Sequence, residues 1–376
     1  METHARYMSQ ALALARKGLG RTSPNPMVGA VIVKDGRMVG RGFHRRAGLP
    51  HAEVEALVQA GPRARAATMY VTLEPCNHTG RTPPCCDAIL AAGIRRVVVA
   101  MRDPNPITKG RGVARLRRAG VGVMIGVQED EAQRLNAPFT TWVTQQRPWI
   151  VAKVAQSLDG KIATRRGSSR WISSPASRRL VHRLRGQMDA VMVGVNTVLR
   201  DNPRLTARTE RGGLRQATQP AKVIVDSRLR TPLSSRCLSQ TASPALTIIA
   251  TTPRGAKKRR SFEKLGVTVL VFPPAAQGRV PLGPLCRTLA TQFLITSVLL
   301  EGGGELIAGA LQARLVDRLL WCTAPMLLGG RHSPSSVGGQ GVARIDQAIR
   351  LRDLQVRRLG PDVLFDAAVV YPKRSP

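Results

Sequence analysis

Short apolar runs alternate with amphipathic stretches along the whole chain, and this alternation sets the expected elements. The opening METHARYMSQALALARKG carries its apolar residues at helical spacing and reads as an amphipathic helix. Val28–Val33 and Met38–Gly42 read as a hairpin across Lys34-Asp-Gly36, since Asp-Gly supplies the positive φ of a tight reversal. A helix starts at His51 (HAEVEALVQAG), and the apolar run Met69–Leu73 is a buried strand. Pro83-Pro84 before Cys85 and a glycine after CCDAILAAG punctuate the next helix. The strand Arg96–Ala100, the helix Val113–Arg118, the strand Val121–Val127 and the helix-like stretch Asp130–Trp142 complete the first half. Such alternation favours a largely parallel sheet covered by helices.

A second alternation begins at Trp149. Strands are expected at Ile150–Ala155, Ala190–Val195, Ala221–Asp226, Leu246–Ala250, Val267–Phe272 and Ser297–Leu300. Helices are expected at Pro175–Gln187, Ala256–Leu265, Leu282–Gln292 and Ile307–Gln312. The last part, with Val316–Ala324, Leu351–Arg358 and Val363–Tyr371, reads as strand-rich. Gln145-Gln-Arg-Pro148 is the expected linker, which divides an α/β chain into domains at residues 1–146 and 147–376. A length of 376 residues suits two domains, at about 100–200 residues each.

Composition narrows the partners. No apolar run reaches the roughly 18 residues of a membrane span, and the N-terminal stripe lacks the continuous apolar core of a signal peptide. Six cysteines in so long a chain do not form a disulfide framework, so a reducing, cytoplasmic setting is expected, with Cys237, Cys286 and Cys322 as free thiols. The formal net charge is +35, yet the arginines are spread along the chain, and only 3% of residues are aromatic. That pattern gives few stacking platforms for single strands, so a solvated basic surface is expected and no specific nucleic-acid partner.

The candidate chemistry begins with His51-Ala-Glu53, followed by TLEPCNHTGRTPPCC (Thr72–Cys86). One imidazole, one carboxylate and two thiols stand in the order used by zinc-dependent deaminases. Zinc with three protein ligands leaves a fourth position for water and lowers that water's pKa to near 7. His51 and Cys76 are expected ligands, and Glu53 is the expected proton carrier beside the metal. Cys85 and Cys86 compete for the third position, because neighbouring helical side chains diverge by about 100°. His78, between the cysteines, is expected behind the ligands or on the substrate side. A zinc-stapled structural module would use the same ligands, but would give Glu53 no role and would fill the fourth position with protein.

In the second half, Glu301-Gly302-Gly303-Gly304 joins a strand to a helix start. Free backbone amides there would favour an anion, although a tight turn uses glycines equally well and the G-x-G-x-x-G spacing is missing.

Eight residues separate Cys76 from Cys85, instead of the two of the common Pro-Cys-x-x-Cys signature. This longer form, together with SPNPMVGAVIV (Ser23–Val33), resembles the pyrimidine deaminases of riboflavin biosynthesis. The segments KVAQSLDGKIA (Lys153–Ala163), GSSRWIS (Gly167–Ser173), GVNTVLRDNPRLTAR (Gly194–Arg208) and VIVDSRLR (Val223–Arg230) resemble the reductases of the same pathway. The resemblance therefore covers nearly the whole chain and points to the bifunctional deaminase–reductase family. It implies a cytidine-deaminase-like αβα sandwich followed by a dihydrofolate-reductase-like α/β domain, with one Zn2+ and NADPH as cofactors. It selects Cys85 over Cys86 as the third ligand. It also makes Asn25 a substrate contact, although Asn25-Pro26 serves equally as a turn entering a strand.

For NADP, the resemblance implies Ala155, Trp171, Thr197, Asp201, Ser227 and the run Gly303, Gly304, Glu305, Leu306, Ile307, Ala308, Gly309. For a phosphorylated pyrimidine substrate it implies Ser169, Arg185, Leu205, Arg208 and Glu301. Arg185 and Arg208 suit a phosphate monoester through their forked donors. Lys153 and Asp201 stand where a proton could reach the opened ribose. A homodimer is a further expectation of the resemblance. The alternative is a tRNA-type nucleic-acid deaminase with a catalytically inactive C-terminal domain.

Overall fold

The computed structural model describes residues 2–79, 83–209, 213–214, 219–239 and 245–372. Gly80, Arg81 and Thr82, in the middle of the cysteine motif, lie outside the described residues. The chain forms two compact units, Met1–Arg147 and Pro148–Pro376. Among the described residues no helix is long and apolar enough to cross a membrane.

The first unit runs α1 (Glu2–Ala15), β1 (Gly29–Lys34), β2 (Arg37–Phe43), α2 (Ala52–Ala60), β3 (Thr68–Leu73), α3 (Cys85–Ala91), β4 (Arg96–Met101), α4 (Arg111–Arg118), β5 (Gly122–Ile125), α5 (Glu129–Leu135) and α6 (Ala137–Gln145). Among the described residues its strands lie in the order β2-β1-β3-β4-β5. The expected hairpin forms, with Asp35 and Gly36 both at positive φ in the turn. The sheet is mixed and not largely parallel. β1 is antiparallel to both β2 and β3, and only the β3-β4 and β4-β5 pairs are parallel. The chain passes from β2 through α2 and over β1 to β3, so two strands of one direction flank one of the other. β1 and β3 are buried almost throughout, as continuous apolar strands with covered faces must be. The stretch read as one helix, Asp130–Trp142, is two, broken at Asn136. The Asn136 side chain bonds both Met27 N and Met27 O, at 2.8 and 3.0 Å, across 109 residues of sequence.

The second unit runs β6 (Trp149–Ser157), α7 (Pro175–Arg185), β7 (Ala190–Gly194), α8 (Val195–Asp201), β8 (Ala221–Val225), β9 (Thr247–Thr251), α9 (Arg259–Glu263), β10 (Thr268–Val271), α10 (Leu282–Gln292), β11 (Ser297–Glu301), α11 (Gly304–Gln312), β12 (Arg318–Ala324), β13 (Arg350–Leu359) and β14 (Asp362–Val370). Among the described residues, nine strands lie in the order β10-β9-β8-β7-β11-β6-β12-β14-β13. Parallel pairing runs from β10 through to β12, and β14 and β13 close the edge antiparallel. Two apolar clusters cover the faces of this sheet, one containing Val154 and Ile307, the other Val151 and Leu320. The parallel strands β6, β7 and β11 therefore end together on one side, where open α/β sheets place ligands.

Candidate active sites

Three helix and strand ends converge on the first site. His51 caps α2 with an extended backbone, and Glu53 stands in that helix's first turn. α2 packs so closely on β2 that a Cβ on Gly42 would lie 2.4 Å from Ala52 O, so only glycine admits this approach. Cys76 follows β3 through Glu74-Pro75. The buried Glu74 carboxylate accepts the backbone amides of Asp103, Gly110 and Val113 at 3.3, 3.0 and 3.0 Å, which fastens the chain after β4 beside Cys76. Cys85 opens α3, and its amide donates to Cys76 Sγ at 3.3 Å.

The ligand atoms of His51, Cys76 and Cys85 all lie within 4.8 Å of one another. His51 Nδ1 is 3.1 Å from Cys85 Sγ and 3.6 Å from Cys76 Sγ. The Cys85 thiol, donating to Cys76, pulls the Cys76 pKa down to about 4, with His51 adding to the effect, while Cys85 as the donor moves upward. Cys86 turns away, as divergence along the helix requires. Its thiol donates toward Pro75 O and Gly112 O at 3.6 and 3.8 Å, and burial pushes its pKa up to about 12.

Glu53 is 3% exposed, and its Oε2 is buried with no hydrogen-bond partner. Burial pushes its pKa up to about 7. A buried carboxylate oxygen without a partner is costly, unless water or a ligand completes it. Two thiols and an imidazole within reach of one point, beside such an oxygen, fit a zinc ion with an open position.

A cavity of about 300 Å³ opens over this cluster. Asn25 lines it and also makes the expected turn. Its amide closes a turn on Thr22 O at 2.8 Å, and its side chain donates to His44 Nε2 at 3.0 Å. His44 is buried, donates from Nδ1 to Pro50 O at 3.2 Å, and is held toward its neutral form by that burial. His78 lines the same cavity and contacts Thr108 Oγ1 at 3.3 Å. Sequence reading missed His44, Asp103 and Asn105, which also face it. Asp103 and Asn105 follow β4, and the carboxyl end of a parallel strand was the signal available for them. Burial pushes Asp103 up to about 6.

The second site is a cavity of about 910 Å³ at the ends of β6, β7 and β11. It gathers the expected Lys153, Ala155, Ser169 and Trp171 with Thr197 and Asp201. Leu205, Arg208, Arg185, Glu301, Gly303 and Ile307 complete the expected residues that it brings together. Ser169 donates to Asp201 Oδ1 at 3.0 Å, and Arg170 donates to Asp201 O. Gly302 has φ 105°, and a Cβ there would stand 2.9 Å from Thr197 Oγ1, so this turn needs glycine on both counts.

Six of the expected cofactor residues do not line this cavity: Ser227, Gly304, Glu305, Leu306, Ala308 and Gly309. A helix turns about 100° per residue, so a run of seven cannot face one crevice. Glu305 accepts from Gly339 N at 3.1 Å and pairs with Arg279, Leu306 packs toward Gly194, and Gly309 faces Leu282. Ser227 lies in the turn after β8, where its Oγ accepts the Val280 amide at 3.1 Å.

Arg185 lines this cavity with its guanidinium paired to a carboxylate. Its Nε and Nη2 meet the two Glu301 oxygens at 2.6 and 2.7 Å, and its Nη1 donates to Thr206 O at 3.2 Å. Burial would raise the Glu301 pKa, but Arg185 outweighs it and holds the carboxyl below its ordinary range. The fork that suits a phosphate is thus already occupied by a carboxylate. Arg208, by contrast, has a buried Nε with no partner.

Residues 1–101 match the cytidine and deoxycytidylate deaminase zinc-binding region, and residues 148–365 match the RibD C-terminal domain. The riboflavin biosynthesis protein RibD of Aquifex aeolicus is 45% identical over 367 residues, covering 97% of this chain and 98% of that one. The chain belongs to the RibD family. The RibD of Escherichia coli is 43% identical over 95% of this chain and 97% of its own. An Acinetobacter baumannii RibD structure superposes with a TM-score of 0.87 at 39% identity, over 98% of this chain and 99% of that one. A Thermotoga maritima structure aligns at TM-score 0.84 and 34% identity over 98% and 99% of the two chains. Its protein is described as a diaminohydroxyphosphoribosylaminopyrimidine deaminase/5-amino-6-(5-phosphoribosylamino)uracil reductase. As a RibD, the chain is a bifunctional deaminase and reductase of riboflavin biosynthesis. Its first unit is cytidine-deaminase-like with a zinc-binding region, and its second is the dihydrofolate-reductase-like RibD reductase domain. Likeness over both halves leaves no support for the nucleic-acid deaminase alternative with an inactive second domain.

Proposed function

We propose that the first unit removes the 2-amino group of 2,5-diamino-6-(5-phosphoribosylamino)pyrimidin-4-one by hydrolysis, and that the second reduces the ribosyl group of the product to ribityl with NADPH. The observation that carries the first step is the unpartnered Glu53 oxygen beside the His51–Cys76–Cys85 cluster. When bound by those three residues, zinc supplies a water acidified enough to react at neutral pH. Glu53 would carry a proton through its buried, unpartnered Oε2, from the attacking water to the departing amine. Asn25 and His44 orient the ring with an amide and a neutral imidazole, and Phe139 and Trp142 supply an apolar wall that limits water.

For the second step, NADPH supplies the hydride, and the protein positions it. Arg208 receives the substrate phosphate, and Glu301, oriented by Arg185, accepts from sugar or ring donors through its remaining lone pairs. Lys153, whose charge acts on Glu301, stands ready to protonate the opened ribose. The description of the Thermotoga relative supports both the substrate and the order of steps.

The test is one assay of purified protein with the diaminopyrimidine phosphate and NADPH, following ammonia and the nicotinamide absorbance together. The expected result is one ammonia released and one NADPH oxidised per substrate, ammonia first. NADPH oxidation without ammonia, or ammonia with no oxidation, would contradict the reading.

A further inference from the structure

Two stretches of chain bring the guanidinium groups of Arg204, Arg208 and Arg236 onto the lining of the second cavity, and among the described residues none of the three is paired with a carboxylate. Asn202 ends α8 at φ 41°, and its Oδ1 accepts the Arg236 backbone amide at 2.8 Å. That bond ties two stretches of chain together and sets Arg236 near Arg204 and Arg208, all three on the cavity lining. Among the described residues, Arg185 pairs with Glu301, and no ion pair involves Arg204, Arg208 or Arg236.

A solvated arginine would need no explanation in so basic a chain. Arg208 is different, because its Nε is shut off from water and unpartnered. Burial, and then the like charges of Arg185, Arg204 and Arg236, press its guanidinium toward losing its proton. Arg185 is neutralised by Glu301 and spends its third nitrogen on Thr206 O, and His182 Nδ1 donates to the same oxygen at 3.2 Å. Arg185 and His182 therefore hold the loop that carries Arg204 and Arg208, and among the described residues the unpaired charge belongs to Arg204, Arg208 and Arg236. A phosphate monoester carries a charge close to −2 and three strong acceptor oxygens. It would complete the Arg208 Nε–H and cancel the repulsion in one step.

We infer that Arg204 and Arg236 join Arg208 as a three-arginine clamp on the phosphate of the reductase substrate, with Arg185 acting only through Glu301 and the Thr206 loop. This rests on the proposed second step.

Arg236→Ala and Arg204→Ala test it, with Arg236→Lys as the conservative variant. Each alanine variant should raise the reductase KM for the deaminated phosphoribosyl compound by about 10- to 100-fold, with kcat within about threefold. Arg236→Lys should keep part of the affinity. The dephosphorylated analogue should show the same KM in all forms, and inorganic phosphate should lose potency as a competitor in the alanine variants. An unchanged KM in both alanine variants would overturn the clamp. So would an equal rise for the dephosphorylated analogue, or weakened NADPH binding with an unchanged substrate KM. Titration calorimetry with inorganic phosphate gives a readout independent of turnover. Phosphate binding that needs Arg236, in a protein that reduces nothing, would refute the second step and keep the clamp. Normal turnover with phosphate binding indifferent to Arg204 and Arg236 would refute the clamp alone.

Discussion

Replacing Glu53 by Gln should lower ammonia release by about 10²- to 10⁴-fold while the zinc content per chain stays unchanged. Gln keeps the shape and one acceptor of Glu, but it cannot take up and return a proton. Glu53 is not one of the three clustered ligands, so the metal should stay. Its buried Oε2 has no protein partner, so the neutral amide should fold at least as well, with an equal or higher melting temperature. NADPH oxidation with substrate already deaminated should be unaffected, because the residue lies in the other unit. Ammonia and zinc measured on the same preparation decide the matter. Near-normal deamination would remove Glu53 from the chemistry, and loss of zinc would make it part of the metal's support.

The second large effect is expected at Glu301. Its side chain and that of Arg185 are each 12% exposed and joined by two hydrogen bonds. Glu301→Ala would leave a guanidinium buried without its counter-charge. Removing one partner of a buried pair costs about 3 to 5 kcal/mol, and the lower figure applies here because the cavity admits some water. In a unit of this size about 3 kcal/mol corresponds to a fall of about 6 to 12 °C in melting temperature. Reductase turnover should fall with it, since Thr206 and the Arg208 loop lose the anchor that Arg185 supplies. Deamination should persist at temperatures where the first unit stays folded. The double variant Arg185→Leu with Glu301→Leu should regain most of the stability and none of the reductase activity. Calorimetric melting of the three proteins checks this, and a single variant that melts with the parent would show the pair to be solvated and weak.

The first site was largely legible in the sequence because its chemistry is local. His51 and Glu53 share one helix start, and Cys76 and Cys85 flank one short connection, so the residue order of a zinc deaminase could be read along one stretch of chain. What spacing could not rank was Cys85 against Cys86, which is decided by which way α3 begins. The second site was less legible because it is built across distance. Arg185 and Glu301 are 116 residues apart, and no periodicity reports that their charges cancel. The motif that contains Thr197 and Asp201 also hides α8, whose seven residues are too short for a helical period to stand out. The mixed order of the first sheet was invisible for a related reason. Alternation reveals strands but not their direction, and a crossover from β2 to β3 that skips over β1 leaves no mark on hydropathy. The break at Asn136 depends on Met27, whose peptide groups it satisfies from the far end of the unit.

The account depends most on a metal held by one imidazole and two thiolates with one position left open. X-ray absorption at the zinc edge of the purified protein tests it most directly. The expected spectrum has two sulfur scatterers near 2.3 Å and about two lighter nitrogen or oxygen donors near 2.0 Å, one of them exchangeable with added anions. A shell of three or four sulfurs, or a fully protein-filled shell indifferent to added anions, would contradict it.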